Sequence, residues 1–341
     1  MADSMTPYIM DQASGPDWHL YHGDCVDVVR GLPENSLHYT IFSPPFESLY
    51  TFSDDPRDMS NCRDSETFWT HFRFLIVELY RATMPGRLVS IHCMQLPTSK
   101  LRDGYIGLRD FRGEIIREFQ QAGFIYHSET CIRKDPVSAM QRTKAIGLLH
   151  KQVVKDSSLS RCAVADYVVD LRKPGENPEP IAGALAEYHG DDMSDAEHDQ
   201  LVRRDFKPEG GRRWEDHKSI MVWQRYAEPV WTDIAQSDVL SHRVARVEAD
   251  ERHISPLQLT VIRRRVDLYS NPGDVVFSPF AGIGSELYVA IELGRRGLGA
   301  EIKQSYFRQA VDNLRSAQQR VLGLSLVDAP SIEPTIAEVG P

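Results

Sequence analysis

Apolar positions in the first third of the chain change period several times. Trp18 to His22 alternates like a short strand, and Gly23-Asp24 follows. From Asp24 to Leu32 the spacing becomes helical, with Val26, Val29 and Leu32 on one face and Asp24 placed to cap. Leu37 to Phe42 is a strand, and Phe46 to Asp64 has no period and reads as a loop. Phe68, Phe72, Leu75 and Leu79 mark an amphipathic helix over Ser65 to Met84. A buried strand follows over Arg87 to Met94. Phe111 to Ala122 is a helix stopped by Gly123, and Tyr126 to Arg133 is another strand. Between Lys134 and Asp250 the rhythm fails: Asp166 to Leu171 is a strand, Pro174 to Pro180 is linker-like, and the rest is irregular. Order resumes with a helix over Pro256 to Ser270, a turn at Asn271-Pro272-Gly273-Asp274 and a strand at Val275 to Phe277. A helix over Ser285 to Gly294, a strand over Gly297 to Ile302 and a helix over Tyr306 to Gly323 complete the pattern. Alternating strands and helices predict an α/β fold with a mainly parallel sheet, and function at the carboxyl ends of its strands.

Two of those strand ends carry unusual chemistry. Tyr39-Thr40-Ile41-Phe42 runs into Ser43-Pro44-Pro45-Phe46. Consecutive prolines can neither continue a helix nor donate to a sheet ladder, so the backbone stiffens there. Pro44 offers a carbonyl beside the Ser43 hydroxyl and next to an exposed aromatic ring, a combination suited to holding a planar amine-bearing ring. A proline turn after a buried strand would look the same locally. The second end is Ser278-Pro279-Phe280-Ala281-Gly282-Ile283-Gly284-Ser285. Its glycines let a ligand approach the backbone, and the helix that follows presents free amide hydrogens. Glu301, seventeen residues after Gly284, ends the next strand at the distance expected of an acceptor for ribose hydroxyls. Leu287 stands where a dinucleotide fingerprint needs Gly or Ala, and no P-loop is present.

Composition narrows the setting. At 341 residues the chain can bury a large core, and no stretch approaches 18 uninterrupted apolar residues. Met1 to Asp17 lacks the regions of a signal peptide and reads as a polar, disordered tail. The five cysteines are odd in number and widely spaced, which supports neither a disulfide framework nor a zinc site; no metal and a reduced cytoplasmic setting are expected. The net charge of −10 argues mildly against nucleic acid, but its distribution does not. Arg133 to Lys173 holds nine Lys/Arg against four Asp/Glu, Pro174 to Val202 has none of either base, and Arg203, Arg204, Lys207, Arg212, Arg213 and Lys218 follow. These two basic stretches permit a DNA-facing surface, with Arg133, Lys134, Arg142, Lys144, Lys151, Arg203, Arg204, Arg212 and Arg213 as candidates.

Together these pieces resemble the S-adenosylmethionine-dependent amino-methyltransferases that act on DNA. Ser-Pro-Pro-Phe looks like their catalytic motif, and Ser278 to Ser285 looks like their cofactor loop, which usually begins with Asp. The catalytic motif comes first, an irregular basic region follows, and the cofactor loop comes near the end. That order is similar to the permuted β class, closest to solitary phage and prophage methylases. The resemblance implies a Rossmann-like, circularly permuted methyltransferase fold with a seven-stranded sheet. It implies a catalytic half over 18–135, a target-recognition insertion over 136–250 with a core strand near 166–171, a cofactor half over 251–323 and a flexible tail over 324–341. It further implies S-adenosylmethionine as cofactor, double-stranded DNA as substrate and a homodimer.

Carried over by position, the resemblance makes Ser43, Pro44, Pro45 and Phe46 catalytic. Phe280, Ala281, Gly282, Gly284 and Ser285 would cradle the methionine moiety, and Glu301 the ribose. Asp24, with Cys25 beside it, would contact the adenine, while His253 and Gln258 would reach the cofactor carboxylate. Ser278 replaces the usual Asp and removes an acceptor for the methionine ammonium. Bonds from a base amine to Ser43 and the Pro44 carbonyl would free its lone pair to attack the sulfonium methyl, with the base flipped onto Phe46. Within the family Ser at the first motif position leans toward cytosine N4 and Asp there toward adenine N6, while the likeness to solitary enzymes leans toward adenine N6; adenine is favoured. Rival readings are an RNA or protein amide methyltransferase, a catalytically silent DNA-binding module, and a nucleotide-dependent oxidoreductase, which leaves the proline pair unexplained.

Overall fold

The computed structural model describes residues 8–46, 55, 57–62, 64–98, 100–143, 148–211, 213–241 and 256–323. Strand β1 (Ile9–Gly15) turns into β2 (Trp18–Gly23), followed by α1 (Cys25–Gly31), β3 (Leu37–Phe42), α2 (Ser65–Ala82) and β4 (Thr83–Met94). A small hairpin of β5 (Leu96–Pro97) and β6 (Leu108–Arg109) brackets α3 (Lys100–Asp103), and α4 (Phe111–Gln121) leads to β7 (Ile125–Ile132). The middle region supplies α5 (Pro136–Thr143), α6 (His150–Lys155), β8 (Asp166–Arg172), α7 (Asp195–Asp205), α8 (Trp214–Tyr226) and β9 (Val230–Trp231). Then come α9 (Leu259–Tyr269), β10 (Val275–Ser278), α10 (Ser285–Glu292), β11 (Arg296–Glu301) and α11 (Gln304–Val321).

Among the described residues the main sheet has nine strands rather than the expected seven, in the order β1-β2-β11-β10-β3-β4-β8-β7-β9. Strands β2, β11, β10, β3 and β4 are parallel, while β1 and β8 run against their neighbours. The chain leaves β10 toward β11 and leaves β3 toward β4, so neighbours β10 and β3 form the switch point where ligands bind in such sheets. Side chains on β3 are buried on both faces, which is why it reads as an unbroken apolar run. Tyr39 and Ile41 enter a core with α9, α10 and α11, whereas Leu37 and Phe42 enter one with α1, α2 and α4.

Three expectations are corrected. The tail expected over 1–17 contains β1, which pairs antiparallel with β2 through Gln12↔Tyr21 and Ser14↔His19. Its side chains are mostly exposed, so backbone pairing holds it and no apolar face announces it. The region expected to be irregular contains α7 and α8; α7 starts with a capping box between Ser194 and Glu197. That region also sends β8 and β9 into the main sheet, where only one core strand was expected. Pro174 to Pro180 has no regular structure, yet it satisfies a buried charge. Arg87, fully buried, donates to Asp274 (2.9 Å), to Asn177 Oδ1 (3.1 Å) and to the Glu179 carbonyl (2.8 Å). Residues 324–341 lie outside the described residues.

Candidate functional site

Because β3 and β10 are parallel neighbours, Ser43-Pro44 and Pro279-Phe280 leave the sheet side by side. The two ends touch: Phe280 lies against Phe42 (5.7 Å between ring centroids) and stacks on Phe72 of α2 (6.3 Å). Pro44 and Pro45 are buried, and Ser43 is half-buried. The Phe46 ring, expected to be exposed, is also half-buried, with its edge against Phe111 at the start of α4 (6.2 Å).

Ser43 is joined to residues that its own motif does not contain. Its Oγ lies 2.9 Å from Nδ1 of His92 on β4. Nε2 of His92 lies 3.1 Å from Asp166 Oδ2 at the start of β8. Lys134 Nζ is 2.5 Å from the same carboxylate oxygen and donates to Gln236 Oε1 at 2.7 Å. Gln258, at the head of α9, meets Gln236 Oε1 through its Nε2 at 3.4 Å. Burial alone would push Asp166 up, but the hydrogen bond with His92 and the ammonium of Lys134 outweigh it and hold the carboxyl below its ordinary value. Sequence reasoning missed His92 and Asp166 because 49 and 74 residues separate successive members of the chain. It placed Lys134 on a DNA surface, where the structure commits it to Asp166.

The glycine loop lies beside this network. Gly282 (φ +54°) and Gly284 (φ +86°) occupy the left-handed region. A Cβ on Gly282 would point into open space, and one on Gly284 would come within 3.2 Å of Ala310 Cβ on α11. The Gly282 amide donates to Glu301 Oε2 and the Lys303 amide to Oε1, both at 2.8 Å. Burial pushes Glu301 up to about 8 despite those two bonds. Glu286, buried in the first turn of α10, is also pushed up to about 8, by burial and further by the charge of Glu301. Among the described residues no Lys, Arg or His pairs with Glu286. The hydroxyls of Ser278 and Ser285 and the Gln258 Oε1 are buried without a partner. Ala281 packs in the core.

Asp24 caps α1, its Oδ1 accepting from Val26 (2.8 Å) and Asp27 (3.2 Å), and burial raises its carboxyl. Cys25 is a core residue whose thiol burial pushes well up, so its side chain packs rather than lines a ligand site. His253 lies outside the described residues, as do Lys144 and Arg212.

The basic candidates separate. Arg133 and Lys151 are exposed, the former one residue beyond β7 at the Ser43 end of the sheet. Arg142 is on α5. Arg203 and Arg204 are exposed on α7; Arg203 lies over the Trp214 ring (3.9 Å), and Arg213 pairs with Asp216 (3.0 Å). The segment carrying these three packs on Leu268 and pairs His189 with Asp267 (3.6 Å) near the end of α9. That helix end leads to the start of β10, the edge of the sheet remote from Ser43.

Comparison with known proteins agrees with this geometry. The family model described as DNA methylase matches residues 37–312. Type II methyltransferase M.MjaI of Methanocaldococcus jannaschii is 23% identical over 180 residues, 51% of this chain and 56% of that protein. DNA adenine methyltransferase YhdJ of Escherichia coli is 36% identical over 64 residues, 19% of this chain and 22% of that one. These matches span between about a fifth and about half of the relatives' length. Among solved structures, a putative DNA modification methylase from Thermus thermophilus, complexed with S-adenosylmethionine, aligns with TM-score 0.57 at 22% identity, covering 87% of this chain and 93% of that one. The cytosine-N4-specific PvuII DNA methyltransferase aligns with TM-score 0.56 at 13% identity, covering 92% and 95%. Both likenesses establish the α/β methyltransferase fold.

Proposed function

Because this chain belongs to the DNA methylase family, we propose that it transfers a methyl group from S-adenosylmethionine to the exocyclic amine of a base in double-stranded DNA. The observation that carries this is the adjacency of Ser43-Pro44 and the Gly282-Ile283-Gly284 loop at one switch point of the sheet.

The residues present fit the cofactor. Open space over Gly282 and the partnerless hydroxyls of Ser278 and Ser285 leave room and polar groups for its methionine part. Glu301 accepts ribose hydroxyls, and Asp24 offers its second carboxylate oxygen to the adenine. Gln258 Oε1 is buried without a partner among the described residues. Ser278 cannot hold an ammonium as Asp would. Glu286, eight residues on, supplies a buried carboxylate that pairs with no cation among the described residues. When bound, the cofactor supplies an electrophilic methyl on a sulfonium.

An amine conjugated to a base ring is a weak nucleophile. The Pro44 carbonyl and Ser43 oxygen accept its two hydrogens, favouring a tetrahedral nitrogen whose lone pair is free. Holding that nitrogen at attack distance supplies much of the remaining acceleration. The base must leave the duplex to reach Ser43, and the half-buried Phe46 ring offers it a stacking face. Adenine N6 is the favoured target. Cytosine N4 is the second reading, favoured by Ser43 in place of Asp.

The test is transfer of tritium from methyl-labelled S-adenosylmethionine to duplex DNA. Wild type labels DNA and not RNA. Ser43→Ala lowers the single-turnover rate by about 100-fold while cofactor affinity, read by calorimetry, stays within about twofold. Unlabelled DNA, or equal rates in the two proteins, contradicts the proposal.

A further inference from the structure

The chain Ser43–His92–Asp166–Lys134 does more than tie four strands together. Asp166 is 3% exposed and, with His92 on one side and Lys134 on the other, is ionised. An ionised carboxylate can only accept hydrogen bonds, so His92 carries its hydrogen on Nε2 and donates to Asp166. A neutral imidazole with Nε2–H has a bare Nδ1, which accepts from the Ser43 hydroxyl 2.9 Å away. With His92 neutral, the direction of every bond in the chain follows from its buried end. Ser43 spends its one hydrogen on His92 and keeps only lone pairs for a ligand.

The direction matters because a hydroxyl facing an amine can bind it in two ways. If it donates, it occupies the nitrogen lone pair that must attack. If it accepts, it polarises the amine N–H and frees that pair. We propose that His92, oriented by Asp166, is the positioning residue that makes Ser43 an acceptor for the target amine and takes the proton released by methylation. This rests on the functional reading given above. As the new C–N bond forms from the nitrogen lone pair, the C–S bonding pair stays on sulfur and the nitrogen becomes cationic. It loses one hydrogen as a proton to Ser43 Oγ while the Ser43 hydroxyl proton passes to His92 Nδ1. The resulting imidazolium sits against Asp166 and returns its proton to solvent after product departs. A hydroxyl backed by a His–carboxylate pair thus does the work of the carboxylate found at this motif position in the aspartate form. The charged groups facing His92 are Asp166 on β8 and Lys134 beyond β7. Next to it on β4, Cys93 is held as the thiol chiefly by burial, with Asp166, Arg112, Glu129 and Asp110 acting on it more weakly.

Two readouts test this on the full chain. In ¹⁵N-histidine-labelled protein without ligand, NMR finds the His92 hydrogen on Nε2 and Nδ1 unprotonated; Asp166→Asn moves it to Nδ1. In single-turnover methyl transfer, His92→Phe lowers the rate by about 100-fold and removes the acid limb of the pH profile, with cofactor affinity unchanged. In the Ser43→Ala background the same substitution costs less than about threefold, because the two residues act as a unit. His92→Asn, whose amide oxygen can replace Nδ1 as acceptor, recovers about tenfold of the loss. A hydrogen on Nδ1 in wild type, or an equal cost of His92→Phe with and without Ser43, overturns the inference. Wild type with the Nε2–H tautomer but no methyl transfer would instead overturn the functional reading beneath it.

Discussion

In the proposed function, Ser43 and Glu286 are the single side chains that carry the chemistry. On that reading each stands where the aspartate form of the family would distribute charge differently: a hydroxyl replaces one carboxylate at the base, and a glutamate compensates for another at the cofactor loop. The second substitution has a measurable signature. Glu286 and Glu301 are both pushed up to about 8, so near neutrality much of each is protonated. Without cofactor, the folded chain holds protons that the unfolded chain releases, and stability falls as pH rises from the ordinary carboxylate range toward 8. A bound sulfonium and ammonium favour the ionised forms, so binding at pH 7 releases protons. Calorimetry in buffers of different ionisation enthalpy should show that release, and it should vanish above pH 9. Glu286→Gln should reduce it and weaken S-adenosylmethionine by about tenfold, about 1.4 kcal/mol. Binding of 5′-deoxy-5′-methylthioadenosine, which lacks the ammonium, should not change. Proton uptake, or equal weakening of both ligands, would remove Glu286 from the ammonium site.

Among the elements, α9 has a role that its place ahead of β10 does not suggest. Its Arg264 is fully buried and donates to both oxygens of Asp233 (3.1 and 2.6 Å) and to the His189 carbonyl (2.7 Å), with the rings of Trp231 and Tyr226 about it. Tyr188 donates to Asp233 at 2.6 Å, and Arg225 joins the cluster through Tyr188 and Asp192. The middle region is thereby bolted to the core helix. Burial would raise Asp233, but Arg264 outweighs it and holds the carboxyl below its ordinary value. Its stabilisation is thus present at neutral pH and lost as pH falls below the ordinary carboxylate range. Arg264→Met should destabilise the chain by about 3–5 kcal/mol in urea unfolding, because Asp233 loses its fully buried partner and keeps only the Tyr188 hydroxyl and Arg225, 3.3 Å away. A loss under 1 kcal/mol would show the cluster to be incidental. This cluster also explains what was hard to read. Strands and helices of the core announced themselves by apolar period, and Leu37–Phe42 matches its expected bounds. Helix α7 has only His198 and Val202 buried, and its contacts are ion pairs such as Lys218 with Asp199 (2.8 Å), so no stripe marked it. Strand β1 is held mainly by its backbone pairing and carries no apolar stripe, only Ala13 packing on the core.

For the molecule as a whole, the meeting of the two motifs was legible because both end strands, and a strand end is a fixed place in a parallel sheet. The topology then puts β10 beside β3 although more than two hundred residues separate them in sequence. Position-specific chemistry that depends on pairing across β4 and β8 had no local mark: nothing around His92 or Asp166 distinguishes them from ordinary strand residues until Met94↔Asp166 and His92↔Val168 fall into register. The basic residues illustrate the reverse case. A charge count grouped Lys134 with Arg203 and Arg213, whereas the fold sends Lys134 into the Ser43 network and leaves Arg203 against Trp214 and Arg213 against Asp216. Among the described residues no helix is long and apolar enough to cross a membrane.

The most direct measurement is mass analysis of nucleosides from the DNA of cells expressing the full chain, compared with cells expressing Ser43→Ala. Wild type should yield a base methylated on its exocyclic amine, N6-methyladenine ahead of N4-methylcytosine, and the variant should yield neither above background. DNA carrying only ring-carbon methylation, or amine methylation that survives Ser43→Ala, would contradict the placement of methyl transfer at the Ser43-Pro44 strand end.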